Sequence, residues 1–416
     1  MRRRLSPLTV ARAKIGLTLQ PDEEFLERCA PLLALVDYAE VCPETLWRVD
    51  RDTNDVVDND FHAFIHAMIE RAGLFAVAHG VGLSMAALDD DPGRVALWER
   101  RLRHDHARYG FQWMSDHSGL TTTAGLHLAL PVPVPQTQAR AASTSAKLKL
   151  LSSICGLGLV ETSAFPFCAG DPHREADVIA AAVDDDDDDG VLLDLHNVHT
   201  MALNLGFDAD DWLSRLPLDR VIEIHVSGGS MSDPGWLPGA RTVRLDSHDD
   251  DVPDEVFDLL ARAAPRCPAL RGVTLERMEG TVVDERAVHE LAHELEVIRG
   301  ILALPPRSTH TITMRAGLGD DDVDDGLWAR ALLAEDPVGA IRAWFPDVDV
   351  DGVRTAGLLI AKLRFERLLN GDADVTGDFS ADPAAFVARF RRYHHIVEPT
   401  AFHPVDEAKL WRGFQG

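Results

Sequence analysis

Short apolar runs rich in β-branched residues alternate with longer stretches of helical periodicity along about the first 300 residues. The runs predict strands at 15–19, 37–41, 74–79, 111–116, 158–161, 191–194, 221–226 and 272–276. Helical spacing fills the intervals at 23–35, 61–72, 94–109, 137–154, 174–183, 209–215, 253–264 and 285–302. Eight strand–helix units predict an α/β fold, a (β/α)8 TIM barrel whose active site would lie at the C-terminal ends of the strands. Pro305-Pro306 stops the last barrel helix, and an acidic, glycine-containing stretch follows around 319–326. Beyond it, helices are expected at 353–369, at 382–393 with Asp382 as N-cap and Pro383 in the first turn, and at 404–414. The expected organisation is a barrel over 1–305 and a mostly helical C-terminal appendage over 306–416, acting as a small domain, a lid or a docking surface. The acidic run 184–189 reads as a solvated loop.

Composition narrows the setting. The chain has 416 residues, enough for a barrel and an extra piece, and its 46% hydrophobic content is ordinary for a globular protein. No run approaches the roughly 18 apolar residues of a membrane span, so no membrane association is expected. Met1-Arg2-Arg3-Arg4 is basic, but no apolar segment follows to make a signal peptide. The five cysteines (Cys29, Cys42, Cys155, Cys168 and Cys267) are odd in number and lack CxxC spacing, which argues against a disulfide framework and a thiolate zinc site and fits a reducing cytoplasm. The formal charge of −27, with no Lys/Arg cluster on the strand-tip loops, argues against a nucleic-acid partner.

Seven segments end in His or a carboxylate where a strand should stop. They end at His79, Asp116-His117, Glu161, Asp194-Leu195-His196, His225, Asp246-Ser247-His248 and Glu276. Residues i and i+2 of an extended segment point the same way, so Asp194/His196 and Asp246/His248 would each offer two ligands to one side. Glu161 could bridge two ions with its two oxygens. Imidazole and carboxylate without thiolate suit Fe, Mn or Zn. The set exceeds what one catalytic zinc takes, so two or three metals are expected. Asp116 reads as a residue that orients His117; Asn197 or His199 could stand in for His196. Glu40 and Glu44 would line the pocket or steady a ligand imidazole. Cys42 reads as a small hydrophobe, and His394, His395 and His403 as surface residues.

At these residues the chain resembles the multinuclear non-haem iron-dependent oxidases, formerly the DUF692 proteins, which modify ribosomally made peptides. The resemblance is carried by Ile15-Gly16-Leu17-Thr18-Leu19, Tyr38-Ala39-Glu40-Val41-Cys42-Pro43-Glu44 and His79-Gly80-Val81-Gly82-Leu83-Ser84. It continues through Ser115-Asp116-His117, Leu193-Asp194-Leu195-His196-Asn197, Glu223-Ile224-His225 and Asp246-Ser247-His248 followed by Val252-Pro253. It implies a TIM barrel with two or three iron ions and O2 as co-substrate. The implied ligands are His79, His117, Glu161, Asp194, His225, Asp246, His248 and Glu276, with His196 or Asn197 where the family often has Asn. His79, Glu161 and His225 are the expected catalytic residues. The implied reaction is oxidation of a precursor peptide at Cys, or at Asp or Asn. Thr162-Ser163-Ala164-Phe165 departs from the family's usual Asn and Ser-Ser pair, and 121–126 is short for the loop after the fourth strand. Many relatives use a small partner protein to present the peptide; 306–416 is expected to fill that role, so its deletion should abolish peptide binding and spare metal. The same ligand order resembles the endonuclease IV barrels, and a xylose-isomerase-like barrel or a metal-holding binding protein are the other readings.

Overall fold

The computed structural model describes residues 13–414 except 51, 54, 184–187 and 305–316. The Pro305-Pro306 break, the basic N-terminus and most of the acidic run at 184–189 lie outside the described residues.

Among the described residues twelve strands are formed. They are β1 (Lys14–Leu19), β2 (Tyr38–Val41), β3 (Trp47–Val49), β4 (Val56–Asp58), β5 (Phe75–Gly80), β6 (Met114–His117), β7 (Leu120–Thr123), β8 (Leu126–Val132), β9 (Gly158–Glu161), β10 (Asp189–Asp194), β11 (Val221–Val226) and β12 (Gly272–Leu275). β1, β2, β5, β6, β9, β10, β11 and β12 form a closed barrel in that order, every neighbouring pair parallel. These are the eight strands the sequence predicts. β3–β4 and β7–β8 are separate antiparallel hairpins.

Alternation along the strands sorts the barrel interior into layers. Tyr38, Val77, Trp113, Leu159 and Leu192 form one apolar cluster. Two residues further along the same five strands stand Glu40, His79, Ser115, Glu161 and Asp194. Apolar and aromatic side chains thus fill most of one level, with Glu223 and Thr274 bonded among them, and polar groups line the next. Tyr38 fits only because β1 and β12 carry glycine beside it: a Cβ at Gly16 would lie 2.3 Å from its ring, and one at Gly272 2.3 Å from its hydroxyl.

The structure departs from the sequence expectation at two loops. A helix, Leu195–Leu205, begins directly after β10, with Asp194 as its N-cap accepting from Asn197 N. The stretch expected to be a short loop at 121–126 is the tip of the β7–β8 hairpin. Its turn residues Ala124 and Gly125 both have positive φ (46° and 78°), the backbone a tight hairpin needs.

The C-terminal region contains the three expected helices (Val350–Gly371, Pro383–Ile396, Pro404–Gly413) and also Asp325–Leu333, Pro337–Arg342 and Ala373–Ala381. It packs on the β7–β8 hairpin, where Leu120, Leu126, Leu128 and Val132 share one core with Trp328, Ile341, Val353 and Ile360. Arg140, fully buried, donates from Nη2 to Asp322 Oδ1 at 2.6 Å and also pairs with buried Asp325, clamping this region to the barrel. Among the described residues no helix is long and apolar enough to cross a membrane.

Candidate metal centre

The polar layer opens at the C-terminal ends of the barrel strands. Strand register sets the first neighbours: His79 is level with Ser115, His117 with Glu161, and Asp194 with His225. Glu161 lies between two groups. Its Oε2 touches His117 Nδ1 and stands 3.4 Å from His79 Nε2, while its Oε1 is 3.7 Å from His225 Nδ1. Glu276 Oε2 continues the row, 3.0 Å from His225 Nδ1 and 3.8 Å from His248 Nε2. His248 Nε2 lies 2.7 Å from Asp246 Oδ1, which is 3.6 Å from His196 Nδ1. The clusters of potential ligands among the described residues include His79/His117/Glu161, His79/His225/Glu276 and His196/Asp246/His248, with Glu40/Glu223/His225 behind them.

Hydrogen bonds determine which atoms face the centre. Ser115 Oγ donates to Ala78 O, so His79 Nδ1–H donates to Ser115 Oγ at 2.9 Å and leaves the Nε2 lone pair free. His225 Nε2–H donates to Glu40 Oε2 at 2.8 Å and turns Nδ1 toward Glu276 and the centre; Glu40 Oε1 accepts from Thr18 at 2.7 Å. Below it, Glu223 accepts from Tyr38 (2.9 Å), Thr274 (2.6 Å) and Trp113 (2.6 Å). Burial and the neighbouring Glu40 push the Glu223 carboxyl up to about 7.

The donor atoms left over are those a cation would use. Glu161 Oε2, Asp194 Oδ2, His196 Nδ1, Asn197 Oδ1, His225 Nδ1, His248 Nε2 and Glu276 Oε2 are buried and make no well-directed hydrogen bond. Such atoms are costly unless something compensates them. Burial, with Glu161, Glu276 and Asp246 nearby, holds the Asp194 carboxyl well above its ordinary range, the signature of crowded carboxylates. Burial works against charge on His225, but Glu276 and Glu40 outweigh it and raise its pKa well above the usual value. Bound cations would relieve both conditions. The donor set therefore fits a multinuclear site of imidazole and carboxylate.

Several sequence expectations change in detail. Asp194 and His196 are not an i, i+2 pair on an extended strand, because the chain turns helical at Leu195. Asp194 sends Oδ1 to Asn197 N at 2.7 Å, while His196, in the first helical turn, reaches the Asp246/His248 group. Asn197 does not replace His196: its Nδ2 donates to Thr162 O at 3.1 Å and its Oδ1 is free. Asp246 and His248 lie in the loop between β11 and the helix Asp254–Ala263, not at a strand tip, and His248 has φ 49°. Asp116 does not bond His117; its Oδ2 accepts from Leu83 N at 3.0 Å, while Glu44 Oε1 accepts from Val81 N and Gly82 N, both at 2.7 Å. These two carboxylates hold the turn after His79, where a Cβ at Gly80 would stand 2.7 Å from Asp116 Oδ2. His394 is buried, not a surface residue. Sequence reasoning missed Ser115 and Glu223. The signal for Glu223 was its i, i+2 spacing to His225; Ser115 needed the register.

Residues 13–303 match the family described as RiPP precursor modification enzyme MbnB/TglH/ChrH. A UPF0276 protein of Caulobacter vibrioides is 30% identical over 289 residues, covering 68% of this chain and 92% of the relative. A UPF0276 protein of Rhizorhabdus wittichii is 27% identical over 292 residues, covering 70% and 95%. Among solved structures the chain aligns with a xylose isomerase domain containing protein from Salmonella typhimurium, at 14% identity and TM-score 0.44 over 70% of this chain and 99% of that one. D-psicose 3-epimerase from Clostridium cellulolyticum gives the same figures, 14%, 0.44, 70% and 99%.

Proposed function

The chain belongs to the MbnB/TglH/ChrH family of RiPP precursor modification enzymes, and from that membership we propose that it is a multinuclear iron, O2-dependent oxidase. Its substrate is one side chain of a ribosomally made precursor peptide, Cys, with Asp or Asn as the alternative. The observation that carries the reading is the convergence at the barrel mouth of buried imidazole and carboxylate atoms that face one another without well-directed hydrogen bonds.

In this reading His79, His117 and Glu161 would hold one ion, His225 and Glu276 with His79 or Glu161 a second, and His196, Asp246 and His248 a third, with Asp194 beside them. Iron bound there would supply one-electron redox chemistry with O2 as oxidant. The remaining roles belong to the chain. Ser115 and Glu40 fix the imidazole tautomers, and Glu44 and Asp116 steady the turn after His79. Glu161, facing two groups at once, sets their spacing, and with His79 and His225 forms the catalytic core. The free cysteines fit a reducing cytoplasm.

The test is metal analysis and an electronic spectrum of the full-length protein purified without oxygen, followed by O2-dependent mass change of the peptide encoded beside its gene. Iron with charge-transfer bands and a mass change support the oxidase. Zinc alone, with cleavage of abasic DNA or isomerisation of a sugar, would replace it with an endonuclease IV-like or xylose-isomerase-like activity.

A further inference from the structure

Away from the metal centre, the C-terminal helices enclose a groove of about 860 Å³ between Val350–Gly371, Pro383–Ile396 and the end of Asp325–Leu333. Leu358, Phe365, Val387 and Phe390 give it an apolar lining, and Leu358 is 39% exposed. The charged groups around that lining are Arg354, Lys362 and Arg391 against a single carboxylate, Glu335. In a chain with 68 acidic and 41 basic residues, a local excess of cations runs against the overall balance. Arg391 has no ion-pair partner among the described residues, whereas Lys362 and Arg354 pair only with exposed or half-buried acids of their own helix, Glu366 and Asp351. His394 lines the same groove, 6% exposed, and its Nδ1 has no hydrogen-bond partner.

The groove is also tied to the metal centre by one loop. Trp236, which lines it, lies on the β11-to-helix loop that carries Asp246 and His248. That loop folds back on itself through Ser232 N donating to Val243 O at 2.7 Å, and Arg241 on it pairs with Asp351 of Val350–Gly371 at 2.8 Å.

We propose that this groove docks an acidic, amphipathic helical segment of the precursor peptide, apolar side chains down and carboxylates toward Arg354, Lys362 and Arg391. Helical ligands commonly seat apolar anchors at i, i+3/i+4 and i+7 in such grooves, with flanking charge setting specificity. The inference rests on the precursor-peptide reading above, and it names the surface and the chemistry of the segment held there.

The experiment uses the full-length protein, with and without added iron, and two labelled helical peptides of roughly 15 residues. Both carry Leu at the anchor spacing; one has Glu and the other Lys at the flanking positions. The Glu peptide is expected to bind at least about tenfold more tightly than the Lys peptide. Lys362→Glu/Arg391→Glu should reverse that preference, and Leu358→Asp should weaken both, with circular dichroism and metal content unchanged. Equal binding of the two peptides, no binding of either, or a preference untouched by charge reversal would overturn the proposal. So would concentration-dependent self-association abolished by Leu358→Asp, which would make a second copy the occupant. Loss of the oxidase reading would appear separately, in metal content and turnover, and leaves this binding measurement readable.

Discussion

Ser115 and Glu40 each bond one nitrogen of a histidine, and by doing so choose the other for the centre. Glu40→Gln keeps an acceptor for His225 Nε2–H but removes the negative charge behind it. We expect metal affinity to fall by roughly 10- to 100-fold, read by chelator competition; an unchanged affinity would show that Glu40 does not support His225. Glu175 offers a second test. Burial pushes its carboxyl from 4.5 up to about 7, against the hydrogen bond from Gln136. A raised folded-state pKa means that its contribution to stability is complete below about pH 4.5 and lost as pH rises through about 7. Glu175→Gln should therefore match the parent protein at pH 4 and exceed it at pH 8, by up to about 3 kcal/mol. An equal difference at both pH values would contradict the assignment. The ligand-type residues were legible because apolar-x-polar spacing recurs from Val77 to His79, Leu159 to Glu161 and Leu192 to Asp194. The partners that orient them were not, since Ser115 meets His79 only through the register between two strands.

All eight barrel strands could be read from short, mostly apolar runs between helical stretches, although Met114–His117 has no β-branched residue and several strands carry a polar residue facing the barrel interior. The helix Leu195–Leu205 could not, because Asp194 ends a strand and caps a helix at once, leaving no polar gap between them. The hairpin β7–β8 was hidden in the same way by a two-residue turn, Ala124-Gly125, in place of Asn-Gly. The loop after β11 carries Asp246 and His248 without being a strand, and it packs on itself and on His196 at glycine. A Cβ at Gly229 would lie 2.2 Å from Leu245 O and 3.0 Å from His196 Cε1. Gly229→Ala is thus expected to displace that loop and lower metal content, while far-UV circular dichroism still reports an intact barrel. Full metal content in this variant would show that the loop's position does not matter to binding.

The C-terminal helices are joined to the barrel by more than a linker. Trp328, Val353 and Ile360 complete the core of the β7–β8 hairpin, and Arg140 is satisfied by Asp322 and Asp325. Deleting 306–416 would uncover that core, so the docking role we propose for this region is better tested by substitutions in the intact chain. Three of its helices were legible from amphipathic spacing and the Asp382-Pro383 start. Asp336-Pro337 carried the same start signal for a helix of six residues, too short for periodicity to reveal. Carboxylates gather at the barrel mouth, where cations would offset them, and the groove lined by Arg354, Lys362 and Arg391 stands apart on the helices. The proposed activity requires several metal ions at the barrel mouth, and metal content of the oxygen-free, full-length protein measured beside Glu161→Gln tests this most directly. We expect about two to three iron ions per chain, with at least one lost in the variant. A protein that purifies without a transition metal, or keeps its full complement after that substitution, would contradict it.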